Sequence, residues 1–198
     1  SAEEIISLLD KNAPPHKYKF KVHVVDNRMV NAFALPGGHI IIMSGLIEAA
    51  KTPEELAGVL AHEMQHVLKR HATRGILQSL STSMLITIIS GDTGNLGQAV
   101  QIMGQLRYSR NIEREADKGG LALLLRAGID PKGMVDFFNT LEKKYGSTPG
   151  TLNYFSTHPL TEERIDYLKE RVPPEAAKYA PLFPDVDWKR VSLSCDGD

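Results

Sequence analysis

The stretch AHEMQHVLKRH, residues 61–71, decides how this chain is interpreted, because it holds three of the seven histidines together with one glutamate. On an α-helix, residues four apart lie about 40° apart around the axis and one turn apart along it. His62 and His66 therefore present their imidazoles to one point in space, as tetrahedral zinc coordination requires. Glu63, next to the first histidine, is angled toward a water molecule at such a metal rather than toward the metal itself.

The same stretch can also be interpreted as an ordinary amphipathic helix that carries these polar residues by chance. Thr52 can cap such a helix, Pro53 suits its first position, and Glu55 stands where it would close a capping box. The apolar stripe of the helix is Leu56, Val59, Leu60, Met64 and Val67. This stripe places the two spaced histidines close to the buried face, where imidazoles without partners would be costly, so the pattern favours a metal site.

His71 is not predicted to be a ligand. It lies nine residues after His62, which on a continuous helix rotates it about 180° away. The metzincin pattern is excluded as well, because Lys69 and Ala72 stand where that class needs a glycine and a histidine. We therefore expect His71 to be a solvated histidine at the end of the helix.

A third ligand can come from the stretch SRNIEREAD, residues 109–117. Glu113 and Asp117 are four apart and share a helix face, whereas Glu115 points elsewhere. One acid could bind a metal while the other accepts a hydrogen bond from a ligand histidine. The alternative is a charged surface in which the two arginines of the stretch pair with the acids. Spacing alone leaves both interpretations open.

Composition restricts the class of protein. The chain has 198 residues, 23 lysines and arginines against 24 acids, and a formal net charge of −1, which gives no electrostatic footprint for nucleic acid or for an anionic membrane. A single cysteine, Cys195, excludes an internal disulfide and a thiolate metal site. No apolar run approaches the ~20 residues of a spanning helix, so we expect a soluble chain without a transmembrane segment.

The order of the predicted elements indicates an α+β fold, mainly helical, with a small N-terminal β-sheet and one active-site helix. We expect a single domain over residues 1–198, with its core at about 19–172 and an irregular proline-rich tail at 173–198. An N-terminal amphipathic helix should precede a half-buried strand at 19–26, with Phe20, Val22 and Val24 inward, and a strand pair joined around Pro36-Gly37-Gly38. Residues 75–105 are a candidate lid. We further expect a helix at about 97–127, with a break near Ser109 and a stop at Gly128, and two later helices capped by Asp130 and Thr161.

Three ordered motifs carry a family resemblance: H-E-M-Q-H at 62–66, S-R-N-I-E-R-E-A-D at 109–117 and H-P-L-T-E-E-R-I at 158–165. Together they resemble the HtpX-like, CAAX-prenyl-protease-type family of gluzincin zinc metalloendopeptidases, over roughly residues 25 to 170. The resemblance implies a zincin-like fold and one zinc ion per chain. It also implies that Glu113 is the third zinc ligand and that Asp117 supports the site from behind the ligands.

Two further motifs match this family less specifically. The stretch NAF at 31–33 is similar to the edge strand on which gluzincins align a substrate as an added strand, which implies substrate binding by Asn31 and Ala32. The alternative is an alternating strand with Phe33 in the core. His158 and Arg164 match the H-P…R-I element, which implies catalytic roles beside the zinc. Without the resemblance, we would interpret them as part of a turn and as a helix-surface arginine.

The implied activity is zinc-dependent hydrolysis of peptide bonds in protein or peptide substrates. The lack of transmembrane helices is typical of the soluble, BepA-like periplasmic branch of the family, and this implies protein quality control in the envelope, with misfolded envelope proteins among the substrates. The expected location is the periplasm or another exported compartment, with membrane association through a separate N-terminal segment as an open alternative. A chaperone-like assembly factor on the same scaffold, with weak or conditional proteolysis, is the alternative function, and a purely structural zinc is a third.

Overall fold

The computed structural model describes residues 1–79, 108–145, 154–159, 161–173 and 179–193. Within these ranges one helix is followed by three strands and then by helices alone. The predicted α+β class, mainly helical with a small N-terminal sheet, is confirmed. From residue 80 onward, the predicted lid lies outside the described residues, and so does the predicted helix before Tyr108.

The elements of the described chain are numbered here in order. The strands are β1 (Lys21–Val25), β2 (Ala32–Leu35) and β3 (His39–Met43). The helices are α1 (Ala2–Lys11), α2 (Ser44–Ala49), α3 (Pro53–Leu68), α4 (His71–Ser79), α5 (Arg110–Ala127), α6 (Lys132–Tyr145), α7 (Tyr154–Thr157), α8 (Glu162–Arg171) and α9 (Trp188–Leu193). α3 carries the H-E-M-Q-H motif, and α5 carries most of the S-R-N-I-E-R-E-A-D motif.

The sheet has the strand order β1-β3-β2, with β3 in the centre. β3 runs parallel to β1 and antiparallel to β2, and Phe33 pairs with Ile41 across the β2–β3 hairpin. The predicted glycine turn connects this hairpin, and Gly37 and Gly38 have φ angles of 90° and 99°. Glycine adopts these angles without steric penalty, which explains the residue type at the bend.

β1 is more exposed than the sequence predicted. The alternation indicated three inward residues, but only Phe20 and Val22 pack against the core, while Val24 is 53% exposed. β1 lies at one edge of the sheet that the described strands form, and α1 lies alongside residues 20–23. The second half of the strand therefore faces solvent, and the prediction of a half-buried strand is correct only for its first half.

α3 is the central helix of the fold. It packs against α5 on one side and α6 on another, and it also contacts α1, β2 and β3. Every residue from Glu55 to Val67 is buried, so the single apolar stripe predicted from the sequence understated its burial. The polar side chains of His62, Glu63 and His66 consequently lie in the interior with 0% exposure, where polar groups need partners.

The predicted helix ends lie at the expected residues, with one difference. Thr52 Oγ1 accepts a hydrogen bond from the Glu55 amide at 3.2 Å, and α5 begins where a break near Ser109 was predicted. α5 ends at Ala127, and Gly128, with a φ of 68°, is its C-cap at the predicted stop. The capping box of α3 is not closed, because the Glu55 carboxylate accepts from the Lys51 amide at 2.9 Å. That side chain therefore ties the preceding turn to the helix.

The core joins the sheet to the helices. Its largest fully buried side chains are Ile5, Leu9, Ile40, Ile42, Leu46, Leu56, Leu60, Met64, Leu123, Leu124, Phe137 and Tyr154. Since Ile5 and Leu9 belong to α1, the core begins before the predicted residue 19. Among the described helices, none combines the length and the apolar character needed to cross a membrane.

The tail predicted to be irregular contains the short helix α9. Trp188 Nε1 donates a hydrogen bond to the Ala50 carbonyl at 2.8 Å, and the Leu182 amide donates to Glu54 Oε1 at 2.6 Å. The indole gains both a hydrogen-bond partner and packing against the core, which stabilises a helix that the proline-rich sequence alone did not indicate. The tail is thus fastened to the end of α2 and the start of α3.

Candidate metal centre

Four potential metal-binding side chains meet in the interior, although they come from three separate parts of the chain. His62 and His66 lie on α3, Glu113 lies on α5, and His158 follows α7 directly. One potential ligand atom of each lies within 4.8 Å of the other three, and all four residues are buried. The structure thus brings together the two histidines and the glutamate named from the sequence and places His158 beside them.

The helix spacing controls the geometry of the cluster. The Nε2 atoms of His62 and His66 lie 3.0 Å apart. Glu113 approaches them with Oε2 at 3.5 Å from His62 Nε2 and Oε1 at 3.6 Å from His66 Nε2. α5 can come this close because residue 120 is glycine, and a Cβ on Gly120 would lie only 3.2 Å from the His62 amide nitrogen.

The residues of the cluster fit a metal ion. His158 Nε2 and both carboxylate oxygens of Glu63 are buried and make no hydrogen bond within the described residues. Buried polar atoms in proteins are normally satisfied, so these atoms indicate a missing partner. Imidazole nitrogens and a carboxylate are the ligands that zinc and related divalent transition metals prefer. The donor set and the unsatisfied atoms in and beside it therefore suit a divalent cation with a water molecule or substrate next to it.

The charges around the cluster determine which ligands carry protons. Burial lowers the pKa of His62, but hydrogen bonds with Asp117 and Glu113 outweigh it and raise that pKa to about 10. Burial, reinforced by the neighbouring His62, holds the pKa of His66 well below its ordinary value. Burial opposes ionisation of Glu113, but His158 and His62 lower its pKa below the ordinary value. A bound cation would thus replace a proton on His62.

Asp117 and Arg164 form an ion pair behind the cluster. Arg164, on α8, donates from Nε to Asp117 Oδ2 at 2.6 Å and from Nη2 to Oδ1 at 2.8 Å, while its Nη1 lies 2.8 Å from Glu113 Oε2. Burial raises the pKa of Asp117, but the Arg164 hydrogen bonds outweigh it and hold that pKa below its ordinary value. Asp117 Oδ1 also lies 3.0 Å from His62 Nδ1, which directs the opposite nitrogen, Nε2, toward the cluster.

Glu63 lies beside the cluster. Its side chain is fully buried, and burial raises its pKa above the ordinary value of 4.5. Its Oε1 is 3.5 Å from His158 Nε2. The backbone amide of Ala34, on β2, is close enough to act on the same carboxylate. Glu63 thus stands between the cluster and the edge strand of the sheet.

The two residues expected to bind substrate lie at this edge. Ala32 belongs to β2, whose sheet partner among the described strands is β3, and Asn31 immediately precedes it. Both are buried, and the Asn31 Oδ1 atom makes no hydrogen bond within the described residues. Phe33 is also buried, as the alternative core interpretation required. β2 packs against α3, so this strand runs alongside the metal-binding helix.

His71 is buried, and the prediction of a solvated histidine was wrong. Its exposure is 0%, and its Nδ1 lies 3.0 Å from Nδ1 of His66. The prediction assumed a continuous helix, but α3 ends at Leu68, Arg70 adopts a φ of 57°, and α4 begins at His71. A rotation of about 100° per residue cannot be extrapolated across such a turn.

Two more neighbours of the cluster were not identified from the sequence. Tyr108, directly before the S-R motif, stacks on His66 with ring centroids 4.2 Å apart. Glu115 does point away from the face of Glu113, as expected, but its Oε2 lies 3.3 Å from His71 Nε2. The position of the tyrosine beside the motif was a usable signal. The contact between His71 and Glu115 could not be predicted in this way, because the two residues lie 44 positions apart and no spacing rule relates them.

Comparison with known proteins identifies the family. Residues 2–172 match the model of peptidase family M48. A putative beta-barrel assembly-enhancing protease of Vibrio cholerae is 37% identical over 190 residues, which cover 87% of this chain and 38% of the relative. The beta-barrel assembly-enhancing protease of Escherichia coli is 31% identical over 173 residues, covering 78% and 35%. The mitochondrial metalloendopeptidase OMA1 of Schizosaccharomyces pombe is 30% identical over 164 residues, covering 81% and 49%.

The chain spans between about a third and a half of the length of these relatives. The family match nevertheless includes every member of the buried cluster, from His62 to His158. All three relatives are named as proteases or metalloendopeptidases. The chain therefore belongs to peptidase family M48.

Proposed function

We propose that the chain is a zinc-dependent endopeptidase that hydrolyses protein substrates in quality control of the cell envelope. The observation that carries the proposal is the buried cluster of His62, His66 and Glu113, with the Glu63 carboxylate beside it. This is the donor set of a catalytic metal site together with a general base. The contacts among the described residues, from α1 to the part of the tail that contacts α2 and α3, support treating residues 1–198 as one domain.

Zinc suits this site, with His62, His66 and Glu113 as its three protein ligands. Catalytic zinc is held by three protein ligands, two histidines and a glutamate in several peptidases, with one position left for a water molecule or substrate. Zinc bound there supplies a Lewis acid that lowers the pKa of water toward about 7 and polarises the scissile carbonyl. Asp117 holds His62 in the tautomer that turns the Nε2 lone pair toward the metal position.

Glu63 is the proposed general base. Its pKa is raised by burial, which brings its proton affinity closer to the value needed for proton transfer at neutral pH. Each carboxylate oxygen carries two lone pairs, so the carboxylate can accept a proton even with the Ala34 amide beside it. The carboxylate takes the proton of the attacking water and later delivers it to the leaving amine.

His158 and Arg164 are proposed to complete the catalytic group. His158 Nε2, which faces Glu63 Oε1 at 3.5 Å, can donate a hydrogen bond to the negative charge that develops on the carbonyl oxygen. Arg164 contacts Glu113 and Asp117 with its guanidinium and steadies the charge on both acids. His158 thus faces the reacting groups directly, whereas Arg164 acts through the two acids that it contacts.

Asn31 and Ala32 are proposed to align the substrate. Among the described strands, the sheet order leaves β2 at an edge, and an extended peptide can add to such an edge through backbone hydrogen bonds. β2 packs against α3, so a peptide on this edge would pass close to Glu63. This arrangement selects unfolded segments, since an extended strand must be presented.

The proposed location is the periplasm or another exported compartment. Two relatives are named for the assembly of β-barrels, and barrels of this type lie in outer membranes. Misfolded envelope proteins are the proposed substrates, and the balanced net charge of −1 gives no basis for nucleic acid binding. Membrane association through a segment outside this chain is compatible with the proposal.

A second candidate is a chaperone-like assembly factor with conditional proteolysis. It is favoured by His158, whose ring lies in the cluster with Nδ1 3.2 Å from Glu113 Oε1. A fourth protein ligand would close the position that hydrolysis requires. In that state the chain would act by binding client proteins at the β2 edge.

The test combines metal analysis with hydrolysis of unfolded casein. Wild type is expected to bind one zinc ion per chain and to cleave casein, and Glu63→Gln is expected to bind zinc with a rate loss of about 10²–10⁴-fold. Glu54→Gln, on the same helix, is the matched control and should retain activity. Equal hydrolysis by wild type and Glu63→Gln contradicts the peptidase mechanism. Full zinc affinity in Glu113→Gln contradicts the ligand set, and increased hydrolysis by His158→Ala favours the second candidate.

A further inference from the structure

The ring nitrogen of His66 that faces away from the cluster has a partner of its own. Nδ1 of His66 lies 3.0 Å from Nδ1 of His71, and Nε2 of His71 lies 3.3 Å from Glu115 Oε2. His71 is fully buried, whereas the Glu115 side chain is 45% exposed. Glu115, His71 and His66 therefore form a connected series of polar contacts from the surface of α5 to the metal position.

The charge of Glu115, at the surface end of this series, determines which nitrogen of each imidazole carries the proton. Lys69 Nζ lies 3.3 Å from Glu115 Oε1, so an ionised carboxylate is stabilised there, and such a carboxylate can only accept hydrogen bonds. His71 then carries its proton on Nε2 and offers the lone pair of Nδ1. His66 in turn donates from Nδ1, which leaves the lone pair of Nε2 facing the cluster.

The other proposed histidine ligand, His62, also has a polar partner, which in this case is a carboxylate. His62 Nδ1 lies 3.0 Å from Asp117 Oδ1, so both ligand histidines have a partner on the nitrogen opposite the metal position. Such partners fix the tautomer and the ring orientation of a metal-binding histidine. A residue that only filled space behind His66 could be apolar, and it would need no carboxylate on its far side.

We propose that His71, backed by Glu115, is a positioning residue that holds His66 in the tautomer and orientation required for metal binding. This role rests on the zinc site proposed above. It gives a role to the third histidine of the stretch 61–71, which the helix spacing had excluded as a ligand. It also makes the turn at Lys69–Arg70 functional, because only that turn brings His71 back beneath His66.

The experiment measures zinc affinity by competition with a chelator, using Zn²⁺ alone and no substrate. His71→Leu fills the space but offers no acceptor, and its zinc Kd is expected to rise about 10- to 100-fold. His71→Asn retains an acceptor at the position of Nδ1 and is expected to stay within about threefold of wild type. Glu115→Ala should raise Kd by less than about tenfold, since this side chain is partly exposed.

The matched control is His16→Leu. His16 pairs with Asp10 at 2.9 Å, so this variant also breaks a histidine–carboxylate contact but leaves the ligands untouched, and its zinc Kd should equal that of wild type. Folding of each metal-free variant is checked by thermal unfolding. The cobalt-substituted proteins give a second readout, because a changed ligand geometry at His66 alters the visible absorption of bound Co²⁺.

The outcomes separate this inference from the proposed function. A wild type that binds no zinc contradicts the zinc site itself. A wild type that binds zinc, with an unchanged Kd in folded His71→Leu or an equal loss in His71→Asn, overturns only the role of His71. If His71→Leu does not fold, ¹⁵N NMR of the zinc-loaded wild type decides. It should show the proton of His66 on Nδ1 and that of His71 on Nε2, and either opposite tautomer overturns the inference.

Discussion

The two long sides of α3 are built from opposite chemistry. Toward α6 the contact is apolar and close, since a Cβ on Gly58 would lie 2.6 Å from the Met134 Cα, and the buried Phe137 of α6 belongs to the same core. Toward α5 the contact contains buried charge, with Glu113 and Asp117 both at 0% exposure. α3 therefore contributes one side to the hydrophobic core and the other side to the metal centre.

The difference separates what stabilises the fold from what performs the chemistry. Apolar burial stabilises by about 25 cal/mol per Å², without any need for exact pairing. A buried charge instead carries a desolvation cost of several kcal/mol, which only a well-placed partner offsets. Substitutions on the α6 side should thus change stability alone. Substitutions on the α5 side should change metal affinity, and they should change stability only where they leave a charge without its partner.

The largest effect is expected for Arg164→Leu, on the polar side. The substitution leaves the carboxylates of Asp117 and Glu113 buried without their counter-charge, so the metal-free protein should lose about 3–5 kcal/mol of unfolding free energy. The measurement is urea unfolding in the presence of a chelator. Zinc should restore part of the loss, because a cation at Glu113 replaces some of the missing positive charge.

Arg114→Leu is the matched control for that variant. Arg114 pairs with Glu163, so it also joins α5 to α8, but both side chains are substantially exposed. Exposed pairs contribute little, and the expected loss is less than about 1 kcal/mol. Equal losses in the two variants would show that the burial of the charges, on which the comparison of the two sides depends, has no energetic consequence.

Gly58→Ala tests the apolar side. Its new Cβ would meet the backbone of Met134 at 2.6–2.9 Å, so α3 and α6 must separate. Overpacking of this kind costs about 1–3 kcal/mol, reduced by the better helix propensity of alanine. Urea unfolding of the metal-free variant measures the loss, while zinc Kd should remain within about twofold of wild type. A clear loss of zinc affinity would contradict the independence of the two sides.

Gly120→Ala is the equivalent substitution on the polar side. Here the new Cβ would lie 3.2–3.4 Å from the backbone of Ala61 and His62, which requires a shift of only a few tenths of an ångström. The gain in helix propensity offsets most of that strain, so the unfolding free energy should change by less than about 1 kcal/mol. Glu113 moves with α5, however, and zinc Kd should rise about tenfold because metal ligands tolerate little displacement. An unchanged Kd would show that the spacing of α3 and α5 does not set the site.

The features predicted correctly from the sequence are those controlled by neighbouring residues. The approach of His62 and His66 follows from one helical turn. The start of α3 follows from Thr52 as its cap, and α5 starts at the break that was expected near Ser109. The glycine turn between β2 and β3 is of the same kind. Each depends on a local conformational preference that a short stretch of sequence expresses by itself.

The features that were missed depend on a break in the chain path or on tertiary contacts. Arg70 takes a positive φ although it is not a glycine, so no residue type announced the turn that buries His71. The neighbour of His71, Glu115, comes from another helix. The burial of α3 on all sides likewise reflects what packs around it and not its own periodicity. The family resemblance named Glu113 as a ligand, which the spacing of the acids alone left undecided.

Glu55→Gln should have the smallest effect, and it concerns a buried charge on the apolar side. The Glu55 carboxylate accepts from the Lys51 amide and from Thr140 of α6, but burial outweighs these contacts and raises its pKa above 4.5. The folded chain therefore holds this proton to higher pH than the unfolded chain, and wild-type stability falls as pH rises through the folded pKa. Glutamine keeps an acceptor for Lys51 and has no charge to desolvate.

Urea unfolding over a pH series measures this difference. Glu55→Gln should be more stable than wild type by less than about 1 kcal/mol at neutral pH, and the gap should close below pH 4.5, where both side chains are neutral. Glu54→Gln, in the same helical turn, controls for the loss of one negative charge near the helix N-terminus. A glutamine variant that is less stable at neutral pH would show that the Lys51 contact outweighs desolvation. In that case the apolar side of α3 would tolerate a buried charge by the same pairing that the metal side requires.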